Sequence, residues 1–223
     1  MIAVPITAED FDHALLDIEE ANSKADIIEL RLDFLQEVTE TILEELLEKC
    51  QKPVIVTYRN KNFGAAVEAT ERMFILRKAI DLKAHFVDLD FDEDKEVIAD
   101  LIYEKGGTAV ILSHHDFEKT PSFEELVKLL NLMDSSFAPD IFKIVPLACN
   151  DSDNDSILKL VKAAKTSGKK IVGFCMGQKG IRSRIECIKA GALFTFASLG
   201  KGKESAQGQI SVEEMKKELE KNA

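Results

Sequence analysis

The sequence predicts a parallel α/β chain closed into a (β/α)8 barrel, and three observations carry that expectation. Short apolar runs alternate with amphipathic helical stretches eight times over, the pattern of strand–helix crossovers in a parallel sheet. The first run is followed by Ile6-Thr7-Ala8 and not by a glycine-rich G-x-G-x-x-G turn, so the open doubly wound sheet lacks its usual opening. No low-complexity linker or composition shift divides the 223 residues, so one barrel is expected to take up 1–223 as a single domain.

In chain order, Ile2 to Ile6 reads as the first strand, and Thr7 as the cap of a helix reaching about Ser23. Asp26 to Leu32 is the second strand, with a helix near Glu40 to Cys50; Pro53 to Arg59 is the third, with a helix near Val67 to Lys83. His85 to Asp90 and a helix from about Glu93 to Lys105 follow, then a strand at Thr108 to Ser113. Thr120, with Pro121 at the first helical position, starts a helix ending near Ser135. Asp140 to Pro146 is the sixth strand, ahead of a helix over Asp151 to Ser167. Lys170 to Cys175, a helix over Gln178 to Lys189, and Leu193 to Ala197 complete the strands. Ser211-Val212-Glu213-Glu214 is a capping box that opens the last helix.

Composition excludes several classes of function. A net charge of -11 and a pI near 5.0 argue against nucleic acid or an anionic membrane as a partner, because both reward a basic face. An anionic ligand must therefore meet a local positive cluster. Cys50, Cys149, Cys175 and Cys187 are scattered, with no C-x-x-C pair and no histidine at ligand spacing, so neither a zinc site nor a disulfide framework is expected. They read as reduced thiols of a cytoplasmic protein. The apolar start Met1 to Ile6 is too short for a signal peptide, and no run approaches a membrane span.

In such a barrel the chemistry lies at the C-terminal ends of the strands, and polar residues fall there consistently. Lys143 stands inside an otherwise apolar strand; burial disfavours its charged form, which is how a protein obtains an amine able to attack a carbonyl, although such a lysine can also snorkel to water. The period of two puts Glu29, Arg31 and Asp33 on one face of strand two, Arg59 in phase with Thr57 on strand three, and Asp88 with Asp90 on strand four. His114 and His115 are adjacent and point to opposite sides, so at most one joins the site as a proton shuttle. A metal is not expected, because the cationic Arg31 and Lys143 are mixed among the acids. Gly177 to Gly180 precedes Arg182 and Arg184 and could hold a phosphate or carboxylate. The glycine-bearing run Gly200 to Gln209 could close as a lid.

Taken together, Glu29-Leu30-Arg31-Leu32-Asp33, Thr57-Tyr58-Arg59, Ser113-His114-His115-Asp116-Phe117 with Thr120-Pro121, Lys143, Ser183-Arg184 and Ser205-Ala206-Gln207-Gly208-Gln209-Ile210 make the chain resemble the type I 3-dehydroquinate dehydratases. These are the Schiff-base enzymes of the shikimate pathway. The resemblance runs over the whole sequence and implies a (β/α)8 barrel that is commonly a homodimer and needs no metal or organic cofactor. It implies Lys143 as the Schiff-base lysine and His115 as the general acid/base. Glu29, Arg31 and Arg59 would bind the substrate's hydroxyls and orient its ring, Arg184 would pair with its carboxylate, and Ser205 and Gln209 would close over it.

The chain departs from the family in two places. Phe63 stands where many relatives carry a glutamate that supports the histidine, leaving Asp88 or Asp90 to share that work. The chain also starts directly at strand one, without the N-terminal hairpin that plugs some relatives. Two other readings stay open: a class I aldolase-like lyase acting on a phosphorylated sugar, and a non-catalytic small-molecule binding barrel in which Lys143 is only a charge partner of Glu29 or Asp88.

Overall fold

Eight parallel strands pair edge to edge in the computed structural model, which describes residues 1–59 and 68–221. They are β1 (Ile2–Ile6), β2 (Ile27–Arg31), β3 (Val54–Thr57), β4 (Phe86–Asp90), β5 (Ala109–Asp116), β6 (Ile141–Pro146), β7 (Ile171–Gly173) and β8 (Thr195–Phe196). The sheet order is β7-β6-β5-β4-β3-β2-β1-β8. Its two ends meet where the Leu193 N–H donates to the Ile171 carbonyl at 2.8 Å, so the sheet curls into the expected barrel. A helix follows each strand: α1 (Phe11–Lys24), α2 (Glu40–Lys49), α3 (Ala69–Asp81), α4 (Lys95–Glu104), α5 (Phe123–Phe137), α6 (Asp153–Thr166), α7 (Ile181–Ala190) and α8 (Val212–Lys221). Among the described residues, no helix is long and apolar enough to cross a membrane.

The strands read as apolar runs because both of their faces are covered, one by helices and the other by the barrel interior. Register then decides which residues share the interior. Cross-strand partners in a parallel sheet point to the same side, and the pairs Arg31 with Thr57, Thr57 with Asp88, Asp90 with Ser113, Ser113 with Lys143 and His115 with Val145 form one continuous layer system. Lower down, the interior is apolar: the Phe86 and Phe194 rings lie 6.3 Å apart. The polar set is therefore confined to the C-terminal half of the barrel, where substrate can reach it.

Local chemistry shifts several element ends. Asp10, not Thr7, caps α1, accepting the His13 N–H at 3.0 Å, while the Thr7 hydroxyl donates to the Lys203 carbonyl. Pro121 is not the first helical residue of α5. Ser122 and Glu125 form a reciprocal capping box there, the Ser122 N–H donating to Glu125 Oε2 at 2.9 Å and the Glu125 N–H to Ser122 Oγ at 3.3 Å. Thr120 is drawn off to donate to the Leu147 carbonyl. The Ser211 box at α8 forms as expected, with Ser211 N–H donating to Glu214 Oε2 at 3.0 Å. β5 runs on to Asp116 because its ladder with β6 continues through His115 and Asp116.

Candidate active site

Six strand ends deliver polar side chains to one cavity at the top of the barrel. Lys143 and His115 line it together with Glu29, Arg31, Arg59 and Arg184, and Ser205 and Gln209 enter from the loop after β8. The eight residues that the family resemblance implies for the site thus meet in one place, although they come from six different strand ends and span most of the chain.

Lys143 is buried in β6 at 5% exposure. Its Nζ donates to Asp88 Oδ2 at 2.7 Å, lies 3.8 Å from Glu29 Oε1, and sits 4.5 Å from the centre of the Phe196 ring. This is the geometry of an ammonium held by a carboxylate. The expectation that burial disfavours the charged form is corrected: a carboxylate comes with the burial. The neighbouring arginines are matched with carboxylates as well. Arg31 is forked onto Asp33, Nε to Oδ1 at 2.9 Å and Nη2 to Oδ2 at 2.7 Å. Arg59 Nη1 meets Asp90 Oδ1 at 2.6 Å and Asp88 Oδ1 at 2.9 Å. The Arg31–Asp33 fork exists because β2 ends at Arg31 and a 3-10 turn over Leu32–Phe34 brings Asp33 back against it, in place of the continuous strand face expected.

Burial by itself would raise the Asp88 carboxyl, but Arg59 and Lys143 hold it far below the usual carboxylate range. Asp90 goes the other way: burial raises its carboxyl, Arg59 opposes this, and neighbouring Asp88 adds to it. Ser113 Oγ ties the two acids together, lying 2.7 Å from Asp88 Oδ1 and 3.3 Å from Asp90 Oδ1. Thr57 donates to Glu29 Oε1 at 2.8 Å and fixes that side chain too.

Register settles which histidine belongs to the site. His115 faces inward, its ring stacked near Phe117 at 6.1 Å and its Nδ1 3.9 Å from Asp90 Oδ1. Burial, reinforced by Arg59 and Lys143, pushes its pKa well below the usual imidazole value, so the ring is neutral and able to accept a proton. His114 points outward, edge-on to Phe91 at 6.5 Å. The family position occupied by Phe63 lies outside the described residues.

Arg184 projects from the first turns of α7 at 1% exposure. Its guanidinium carbon lies 4.2 Å from the centre of the Phe174 ring. Among the described residues, Nε and Nη2 have no hydrogen-bond partner, and burial lowers its pKa to about 10. A buried, unmatched guanidinium opening on a cavity is a receptor for an anion. In the glycine turn before it, two amides are engaged within the protein. The Gly177 N–H donates to the Gln207 carbonyl and the Gly180 N–H to the Gly177 carbonyl, so both amides are already used.

The loop after β8 is seated over the cavity. The Ser205 N–H donates to Gln209 Oε1 and Gln209 Nε2 donates to Ser205 Oγ, both at 2.9 Å. Lys203 pairs with Asp17 of α1. Gly208, at φ 78°, passes so close to loop seven that a Cβ there would fall 2.2 Å from the Gly177 carbonyl oxygen. Ser113, Phe174 and Phe196 also bound the site, and nothing in the sequence marks them for it. Phe174 and Phe196 look like core in the sequence, and Ser113 is a small neutral residue whose role depends on acids of the neighbouring strand.

A family model described as type I 3-dehydroquinase matches residues 2–222. A 3-dehydroquinate dehydratase of Methanocaldococcus jannaschii is 37% identical over 221 residues, covering 97% of this chain and 96% of its own. That of Thermococcus gammatolerans is 37% identical over 223 residues, covering 98% and 97%. Among solved structures, a type I 3-dehydroquinate dehydratase from Clostridium difficile, crystallised with covalently modified comenic acid, superposes with a TM-score of 0.89 at 26% identity over 99% of this chain and 91% of its own. An N-(5'-phosphoribosyl)anthranilate isomerase from Pyrococcus furiosus shares the fold alone, at a TM-score of 0.63 and 16% identity. By the match of its sequence from end to end, the chain belongs to the type I 3-dehydroquinase family.

Proposed function

We propose that the chain dehydrates 3-dehydroquinate to 3-dehydroshikimate, a hydro-lyase step toward aromatic amino acids, through an imine on Lys143. The observation that carries this reading is one cavity lined at once by a buried lysine, a neutral histidine and an unmatched arginine. The substrate is a carboxylated cyclic ketone bearing hydroxyls, and each part has a partner. Its carboxylate pairs with Arg184; Glu29, Arg31 and Arg59 take its hydroxyls and orient the ring; Ser205 and Gln209 cover it and exclude water.

Lys143 attacks the C3 ketone, and the carbinolamine loses water with His115 passing protons. The protonated imine withdraws electrons from C2, so its hydrogen becomes acidic enough for an imidazole to remove. His115 takes that proton and returns one to the departing C1 hydroxyl, giving syn elimination, and hydrolysis of the imine frees the product. The whole chain acts as one catalytic domain without metal or organic cofactor. Its acidic charge and scattered cysteines support the cytoplasm, away from nucleic acid and membranes, and the family resemblance supports a homodimer.

The test follows the enone absorbance that develops from 3-dehydroquinate on the wild type and on Lys143→Ala, with borohydride added to trap the imine. Turnover lost in the variant, and the ligand's mass fixed on Lys143 in the wild type, are the expected results. Stoichiometric binding without turnover, or labelling at another residue, overturns the assignment.

A further inference from the structure

We propose that Asp88 is a further catalytic residue, the fixed counter-ion of the Lys143 nitrogen in both its resting ammonium form and its protonated imine. The inference rests on the imine chemistry proposed above and assigns a partner to the reacting atom itself.

The geometry divides the work of the two Asp88 oxygens. Oδ2 accepts from Lys143 Nζ at 2.7 Å, while Oδ1 is held by Ser113 Oγ at 2.7 Å and Arg59 Nη1 at 2.9 Å. The carboxylate is completely enclosed, with 0% of its side chain exposed, so solvent does not screen the pair and cannot substitute for it. Glu29, the other acid near Nζ, stands off at 3.8 Å with its nearer oxygen engaged by Thr57. Across from Asp88, Nζ rests over the Phe196 ring. Nζ is therefore held between a carboxylate and an aromatic face, a setting that favours a cation.

Charge bookkeeping shows why one counter-ion serves the entire cycle. The ammonium nitrogen passes one proton to His115 and attacks C3 as the neutral amine. A second proton moves from nitrogen to the former ketone oxygen, and His115 returns the first as that oxygen leaves as water. The nitrogen lone pair completes the C=N bond. The product is an iminium with one N–H and the same single positive charge as the starting ammonium. Asp88 thus faces a cation before and after, and the remaining N–H can donate to the oxygen that held the ammonium. An enclosed iminium without a counter-ion would shed its proton, and the neutral imine is a poorer electron sink for removing the C2 hydrogen.

The other charged or titratable groups facing this pair are Glu29 from β2, Arg59 beyond β3, Asp90 on β4 and His115 on β5, with Arg31 and Arg184 in the same cavity. None of the acids among them reaches Nζ within hydrogen-bonding distance.

The test measures the rate of borohydride trapping of 3-dehydroquinate on Lys143 against pH, by intact mass, in wild type and Asp88→Asn. An opposite charge at this range moves a titration by about one to three pH units. The variant's trapping profile should therefore shift to acid by about that much, with turnover near neutrality reduced by ~10-fold to ~1000-fold. A folded Asp88→Asn protein whose profile matches wild type overturns the proposal. Should that variant fail to fold, Asp88→Glu and Ser113→Ala keep the negative charge but displace it. An acid shift in either supports the proposal, and unmoved profiles in both overturn it. Absence of any label on the wild type sinks the imine reading instead, which separates the two failures.

Discussion

The Arg184 guanidinium lies over the Phe174 ring, its carbon 4.2 Å from the ring centre, and the ring takes the place that a carboxylate would occupy in an ordinary buried pair. The arrangement keeps Nε and Nη2 for an incoming anion. Hydrogen bonds to charged groups contribute about 1.5–3 kcal/mol each. Arg184→Ala should therefore raise KM by ~10-fold to ~100-fold with a smaller change in kcat, as read by steady-state kinetics. Lysine at this position should not restore binding, because a point charge cannot reproduce the fork. An unaltered KM would exclude a carboxylate contact.

The same unmatched charge costs stability. Isolated buried cations are held against a desolvation penalty, and replacing one with an apolar group of similar length removes it. Arg184→Met should melt at a higher temperature than wild type while losing substrate affinity. A lower melting temperature would mean that the cation's contact with Phe174 outweighs its desolvation.

The candidate site was legible in the sequence because its residues obey two simple periods: alternation along strands, and one polar strand end per crossover. That logic places Glu29, Arg31, Arg59 and Lys143, with one of two adjacent histidines, at the same end of the barrel. It could not choose between His114 and His115, since the choice depends on the register of β5 against β6, a property of two strands. It left Glu29 and Asp88 alike as charge partners of Lys143, and only the folded distances choose Asp88, at 2.7 Å against 3.8 Å for Glu29. The sequence suggested an amine made neutral by burial, whereas the folded distances match Lys143, Arg31 and Arg59 each with a carboxylate. Asp33 shows the same limit locally, since its fork with Arg31 depends on a 3-10 turn that breaks the strand period.

His115 links catalysis to acid stability. Its folded pKa is depressed by burial and by Arg59 and Lys143, so the native ring stays neutral while the unfolded chain takes up a proton below about pH 6.5. Its contribution is fully present above that value and is lost as pH falls from there toward the folded pKa, at up to about 1.4 kcal/mol per pH unit. Denaturant titrations of wild type and His115→Asn between pH 7 and pH 5 should diverge, the variant losing less stability. Turnover of the variant should drop by about 10²-fold to 10⁴-fold, while wild-type kcat/KM should show no acid limb near pH 6.5. Such a limb would place the imidazole in a more solvated setting than its burial indicates.

The Lys203–Asp17 pair ties the loop after β8 to α1, and the Thr7 hydroxyl adds a weaker bond to the Lys203 carbonyl. Asp17→Asn should release that edge of the loop and free the backbone at Lys201 and Lys203 to enter a protease. Limited trypsin digestion without substrate should cleave the variant there faster than wild type, and a saturating ligand should slow both. Equal cleavage rates would mean that the latch carries no part of the closure.

Closure also depends on Gly208 and Gly177, whose backbones touch. A methyl group at Gly208 would stand 2.2 Å from the Gly177 carbonyl oxygen and 2.6 Å from its carbon, atoms that cannot rotate away. The residue's φ of 78° is a second obstacle, since L side chains avoid that region. Gly208→Ala should therefore push loop eight off loop seven, break the Gly177 N–H bond to the Gln207 carbonyl, and withdraw Ser205 and Gln209 from the cavity. The barrel beneath is untouched, because the loop contributes little to the buried core. Thermal stability should stay close to wild type while KM rises and the trapped imine becomes more open to water. If the variant melted far below wild type with its KM unchanged, the glycine contact would be holding the barrel together and not the lid.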